Sequence, residues 1–331
     1  MMLRWLALCT LCATPLRADV AEVVDQYILP GYAAFADATK ALDTAAKADC
    51  TAAALIPAYQ AAFDAWLNVS ILRFGPAEAD GRSLAIQFWP DPKSLGAKAQ
   101  AAMLRAKDPA VNDPAAFAEV SVAARGLMSL ERLLYPAEPL PAGDYPCALV
   151  RATASDLSRL ATAIQTDWET DFAAALLTAG VVGNTRFTTK TEARQILYTA
   201  LITGFEFVGD DRVGRPLGTF DKPRPERAEA RASGRSLHNV IQSMAALQRL
   251  AKTLAADTPA TDTPATDAAF AQALEMAAKV KDPTFADVDT PQGWLKAQIL
   301  QQAIWTARDA AIAEISPALD VGIGFNAADG D

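Results

Sequence analysis

An all-α fold of two antiparallel, up-and-down helical bundles packed together is predicted by three observations. Apolar residues recur at spacings of three and four, almost no stretch alternates with period two, and the chain is rich in alanine. At 331 residues, it can bury one large core or two modest ones. Residues 1–18 stand apart from that fold. Arg4 gives a positive start, Trp5 to Ala13 is a short apolar run, and Leu16-Arg17-Ala18 ends on a small residue, so a signal peptide cut after Ala18 is expected. The run is shorter than the ~20 residues that cross a bilayer, and no later stretch is long enough and free of charge, so no transmembrane span is expected.

The N-terminal lobe is predicted over 19–140. A first helix from Val20 to Lys47, interrupted near Pro30, carries Tyr27, Ile28, Tyr32 and Phe35 on its apolar side. A second, from Thr51 to Arg73 with a bend or restart at Pro57, carries Leu55, Tyr59, Phe63, Trp66 and Leu67. Gly75 and Pro76 stop it, and Ser83 to Pro92 is read as an irregular connection. A short helix, Ser94 to Lys107, follows. Asp113 then caps, with Pro114 at the first helical position, a helix expected to run through Glu131 to Pro136.

Pro139, Pro141 and Pro146 mark the expected boundary, and the C-terminal lobe is placed at 141–331. Its helices are expected at Cys147 to Ala179, from Thr188 to Gly209, and at Ala228 to Ala256, Ala268 to Val280 and Gln292 to Ile315. Gly209 to Pro225 is read as a loop, and TPATDTPATD from Thr258 as a low-complexity linker. The similar order of elements in the two halves predicts internal duplication without a literal sequence repeat.

Thirty basic residues against 39 acidic ones give a formal net charge of −9, and loss of Arg4 and Arg17 with the leader makes the mature chain more acidic still. Such a surface repels nucleic acid and anionic lipid. Cys9 and Cys12 form a CxxC inside the leader and imply neither a redox motif nor a zinc site. Cys50 and Cys147 remain, and in an oxidising export compartment they are expected to pair as a disulfide.

The one histidine, His238, has no acid three or four residues on, which counts against a zinc peptidase helix of the usual pattern, and it is read as a packing residue. No GxSxG follows a strand, so a serine hydrolase is not supported. Asp80, Asp91, Asp329 and Asp331 fit no regular calcium loop. The informative residue is Glu131. Helical spacing surrounds it with Leu127, Met128, Leu134 and Tyr135, so its carboxylate must be paired, protonated or bound to a cation. Two readings stay open: a buried bridge to Arg125, Arg132 or Arg73, or an inter-helix pocket for a cation or substrate lined by Glu131, Asp64, Glu78 and Arg73.

Gly126-Leu127-Met128-Ser129-Leu130-Glu131 resembles the GxHxxE motif of the imelysin-like proteins, with the histidine replaced by Met128. RFGP at Arg73 to Pro76, PLG at Pro216 to Gly218, SxxS at Ser233 to Ser236 and the closing GFNAADGD agree with that resemblance. It implies an exported, two-lobed helical protein of the periplasm or cell envelope. The family includes peptidases and relatives tied to iron uptake, and its motif histidine and glutamate imply a metal, of which Glu131 alone carries over while Met128 offers only a thioether. The expectation is a binding or accessory protein in metal (iron) acquisition, with a metal ion or an envelope protein as partner. The alternatives are a metallopeptidase using Glu131 to activate water, and a protein-interaction module without a small ligand.

Overall fold

The computed structural model describes residues 20–256 and 263–322, and every described segment of regular structure is helical. The leader with Cys9 and Cys12, the first part of the TPATDTPATD linker, and the closing segment with Asp329 and Asp331 lie outside the described residues. The nine longer helices are α1 (Leu29–Ala48), α2 (Ala52–Val69), α3 (Leu95–Ala106), α4 (Gly126–Leu134), α5 (Tyr145–Asp167), α6 (Lys190–Glu206), α7 (Ser236–Ala255), α8 (Pro264–Lys279) and α9 (Pro291–Leu319).

Neither proline breaks its helix. Pro30 enters α1 directly after a π-helical turn, Val24–Ile28, and Pro57 lies within a continuous α2. The wider π turn shifts the hydrogen-bond register ahead of a residue that has no N–H to give. The single helix expected from Asp113 to Pro136 is instead three short pieces: Pro114–Ala118, Val122–Ala124 and α4. Gly126 is the cause of the last break, with φ +70° following an extended Arg125. A Cβ here would meet the carbonyl oxygens of Ala85 and Ile86 at 2.2 Å, so only glycine admits that close approach. The loop expected from Gly209 also differs: Phe207–Gly214 continues α6 as a π-helix and Arg215–Leu217 adds a short α turn.

Packing follows the apolar stripes. α1 packs on α2 and α5, and α4 packs on α2, α3 and α5, burying Tyr32, Phe35, Tyr59, Phe63 and Trp168 completely or nearly so. Each such side chain contributes roughly 1.5–3 kcal/mol relative to exposure. α8 packs on α9, α7 on α6, α8 and α9, and α6 on α9. The helix after the Pro-rich stretch, α5, therefore packs with the helices that precede it. The disulfide Cys50–Cys147, Cα–Cα 5.5 Å, joins the end of α1 to the start of α5 within the same group. The two groups meet where α7 lies on α2.

Candidate functional site

The seam between α2, α4 and α7 is crossed by polar side chains that the loop before α7 supplies. Glu131, on α4, is 4% exposed, and its Oε1 accepts hydrogen bonds from the Ser233 amide at 2.9 Å and the Ser233 hydroxyl at 2.7 Å. Burial raises its pKa; the Ser233 bonds and the Arg132 charge oppose that, and Glu229 adds to it. Tyr59 buries its hydroxyl beside this group, and desolvation followed by the Glu131 charge pushes the phenol well above its ordinary value.

Of the two readings open for Glu131, the bridge to Arg125, Arg132 or Arg73 is not formed among the described residues. Arg125, on extended backbone ahead of α4, faces α5 and contacts Asp156 Oδ2 at 2.9 Å. Arg132, next to Glu131 in sequence, points to another side of a helix and donates to Gln100 at 3.1 Å and the Ala123 carbonyl at 3.2 Å. Arg73 lies 3.8 Å above the Phe207 ring.

Two residues along from Ser233, Arg235 ties the loop to α2. It donates to Gln60 and Asp64, stacks over Phe63 at 4.6 Å, and reaches Asn239 at 3.1 Å. Asp64 also meets His238 Nε2 at 2.8 Å, so the histidine read as a packing residue is half-exposed and faces a carboxylate. Deeper in, Glu229 accepts from Arg212 at 2.8 Å, Asn239 at 2.8 Å and Gln87 at 2.6 Å, while Trp66 donates to Gln87 at 2.6 Å. Arg212 and Glu229 are each 1% exposed, a fully desolvated ion pair whose remaining hydrogen bonds are satisfied. Ala230 holds a left-handed φ of +47°, pinned by bonds from Arg235 N and Ser233 Oγ to its carbonyl.

Of the sequence-predicted residues, Glu131 and Asp64 receive partners from this one loop, and Met128 is buried. Arg73 and Glu78 line a separate cavity of about 350 Å³ that Glu131 and Asp64 do not reach. Its walls are Trp66, Trp89 and Phe207, with Ser83, Asp211 and Arg215 among the polar lining. Desolvation and then the nearby Arg212 charge lower the Arg73 pKa, and the charges of Asp211, Glu78 and Glu229 oppose that. Arg212, Glu229 and Arg235 were invisible to a helical-stripe reading, because their partners are distant in sequence. The SxxS element was the available signal: Ser233 holds Glu131, and Ser236 donates to the Glu229 carbonyl at 2.6 Å.

These residues do not fit a resident metal. Glu131 already spends Oε1 on Ser233, Met128 replaces the imidazole, and among the described residues no three His, Cys, Asp or Glu side chains are grouped to hold an ion.

Comparison with known proteins agrees with this architecture. A crystal structure of an imelysin-like protein from Psychrobacter arcticum superposes with a TM-score of 0.78 at 19% identity, covering 92% of this chain and 96% of that one, which is a likeness of fold. Iron-regulated protein A of Synechococcus elongatus is 28% identical over 229 residues, which is 66% of this chain and 59% of that relative. This chain thus matches less than two thirds of that relative's length. The family model described as Imelysin matches residues 28–310, nearly the whole described helical body, and the chain belongs to the imelysin family.

Proposed function

We propose that this imelysin-family chain is an exported protein of the periplasm or cell envelope that binds rather than cleaves, as an accessory in metal (iron) acquisition. One observation carries the reading: the Glu131 carboxylate is buried, held by Ser233 and preceded one turn earlier by Met128, so the motif offers no imidazole beside it to hold a water-activating metal. The leader features and the Cys50–Cys147 bond support export to an oxidising compartment. No described helix is long and apolar enough to cross a membrane. The iron setting rests on the name of the Synechococcus relative. The chain is read as one domain of two lobes, 19–140 and 141–331, related by internal duplication, with α5 packed against the first lobe.

The test is to purify the mature chain, measure retained transition metals, and assay proteolysis for wild type and Glu131→Gln. The expected result is no cleavage by either form and no stoichiometric metal lost with the carboxylate. Cleavage by the wild type that disappears in Glu131→Gln would overturn the proposal in favour of a metallopeptidase.

A further inference from the structure

The cavity beside the seam carries two exposed charged side chains with no ion-pair partner among the described residues. The Arg73 guanidinium carbon lies 3.8 Å from the centroid of the Phe207 ring, and among the described residues the side chain makes no hydrogen bond or ion pair. Contact with a ring uses none of the guanidinium N–H groups as hydrogen-bond donors, so they remain free to donate. Across the same cavity, Glu78 accepts one bond, from the Ser83 hydroxyl at 2.8 Å, and meets no cation within ion-pair distance among the described residues. The two remaining charged groups in the lining, Arg215 and Asp211, pair with each other. The cavity therefore presents a cation and an anion, Arg73 and Glu78, that are solvent-exposed and make no direct ion pair among the described residues, in a lining that also holds Trp66, Trp89 and Phe207. A simple anion would satisfy Arg73 and meet repulsion from Glu78; a simple cation would do the reverse.

We propose that this cavity binds a small zwitterion of the α-amino-acid type, its carboxylate received by Arg73 and its ammonium by Glu78. Arg73 supplies the planar two-pronged donor that carboxylates select, and the aromatic faces accept both the ammonium and an apolar side chain. A volume of about 350 Å³ is at the small end of ligand pockets and suits a single amino acid or betaine. The inference rests on the binding reading above and gives it a ligand class.

Titration calorimetry of the mature chain with the proteinogenic amino acids and glycine betaine, alongside quenching of tryptophan fluorescence, tests it. At least one zwitterion should bind, and its N-acetyl and carboxamide forms should each bind at least about tenfold more weakly. Arg73→Gln should lose binding by a similar factor. Glu78→Gln should weaken the zwitterion and leave the N-acetyl form unchanged, a readout that general loss of folding would not produce. Circular dichroism melts of both variants check that the fold persists. Binding by no member of the panel, or equal binding of the N-acetyl and carboxamide forms, would overturn the zwitterion proposal. Neither outcome touches the question of cleavage, which the Glu131→Gln assay decides separately.

Discussion

Glu131 and Glu229 are both buried carboxylates, yet their surroundings treat charge in opposite ways. Glu229 is met by the Arg212 guanidinium and two amides, so truncating Arg212→Met should cost about 3–5 kcal/mol through the charge left behind, measured as a fall in the urea midpoint. Glu131 has Ser233 as its hydrogen-bond partner and the Arg132 charge nearby, and burial still holds its pKa above the ordinary carboxylate value. The folded chain then binds that proton more readily than the unfolded chain. Below a pH of about 4.3 the group is protonated in both states and costs nothing; as pH rises from there to the raised folded value, stability falls. Glu131→Gln keeps an acceptor for Ser233 and removes the ionisation. Its stability relative to wild type should therefore improve as pH is raised across that window, and a difference flat with pH would show that Glu131 is not desolvated.

Among elements, α4 and the π-helical end of α6 set the site. Helical periodicity marked Leu127, Met128, Leu134 and Tyr135 as apolar; the first three are buried, while Tyr135 lies just past the end of α4 and is partly buried. It missed the helix start at Gly126, since a glycine within an amphipathic pattern reads as tolerated until the carbonyls of Ala85 and Ile86 are seen against it. Gly126→Ala should destabilise by more than about 1–3 kcal/mol, the cost of the left-handed backbone alone, with the contact to those carbonyls added, and thermal melts would measure it. The Phe207–Gly214 segment was read in large part as loop because its glycines and charges suit one. In the structure those glycines allow close packing: a Cβ on Gly209 would lie 2.8 Å from the Trp305 ring. The wide turn places Phe207 under both Arg73 and Arg212, at 3.8 and 4.7 Å.

At the scale of the molecule, the helical class and the pairing of Cys50 with Cys147 were legible in the sequence, because helical spacing and a two-cysteine mature chain leave few alternatives. The polar seam was not. Arg235 and Asp64 are 171 residues apart, and nothing local in either segment names the other. The crosslink spans 97 residues, so removing it as Cys50→Ser with Cys147→Ser should cost about 4–5 kcal/mol in the chain-entropy model, seen as a lower melting temperature of the double variant. Because the bridge ties α1 to α5, the loop it closes contains α2, α3 and α4, while α6 to α9 lie outside it. A chain pulled from its two ends can therefore pay out only the residues beyond the bridge. Under reducing conditions the fully stretched thread should lengthen by roughly 330 Å, the extended span of the enclosed residues, so the candidate carboxylate Glu131 and its arginine neighbours on the first helix group sit on a stretch of chain shielded from end-to-end tension.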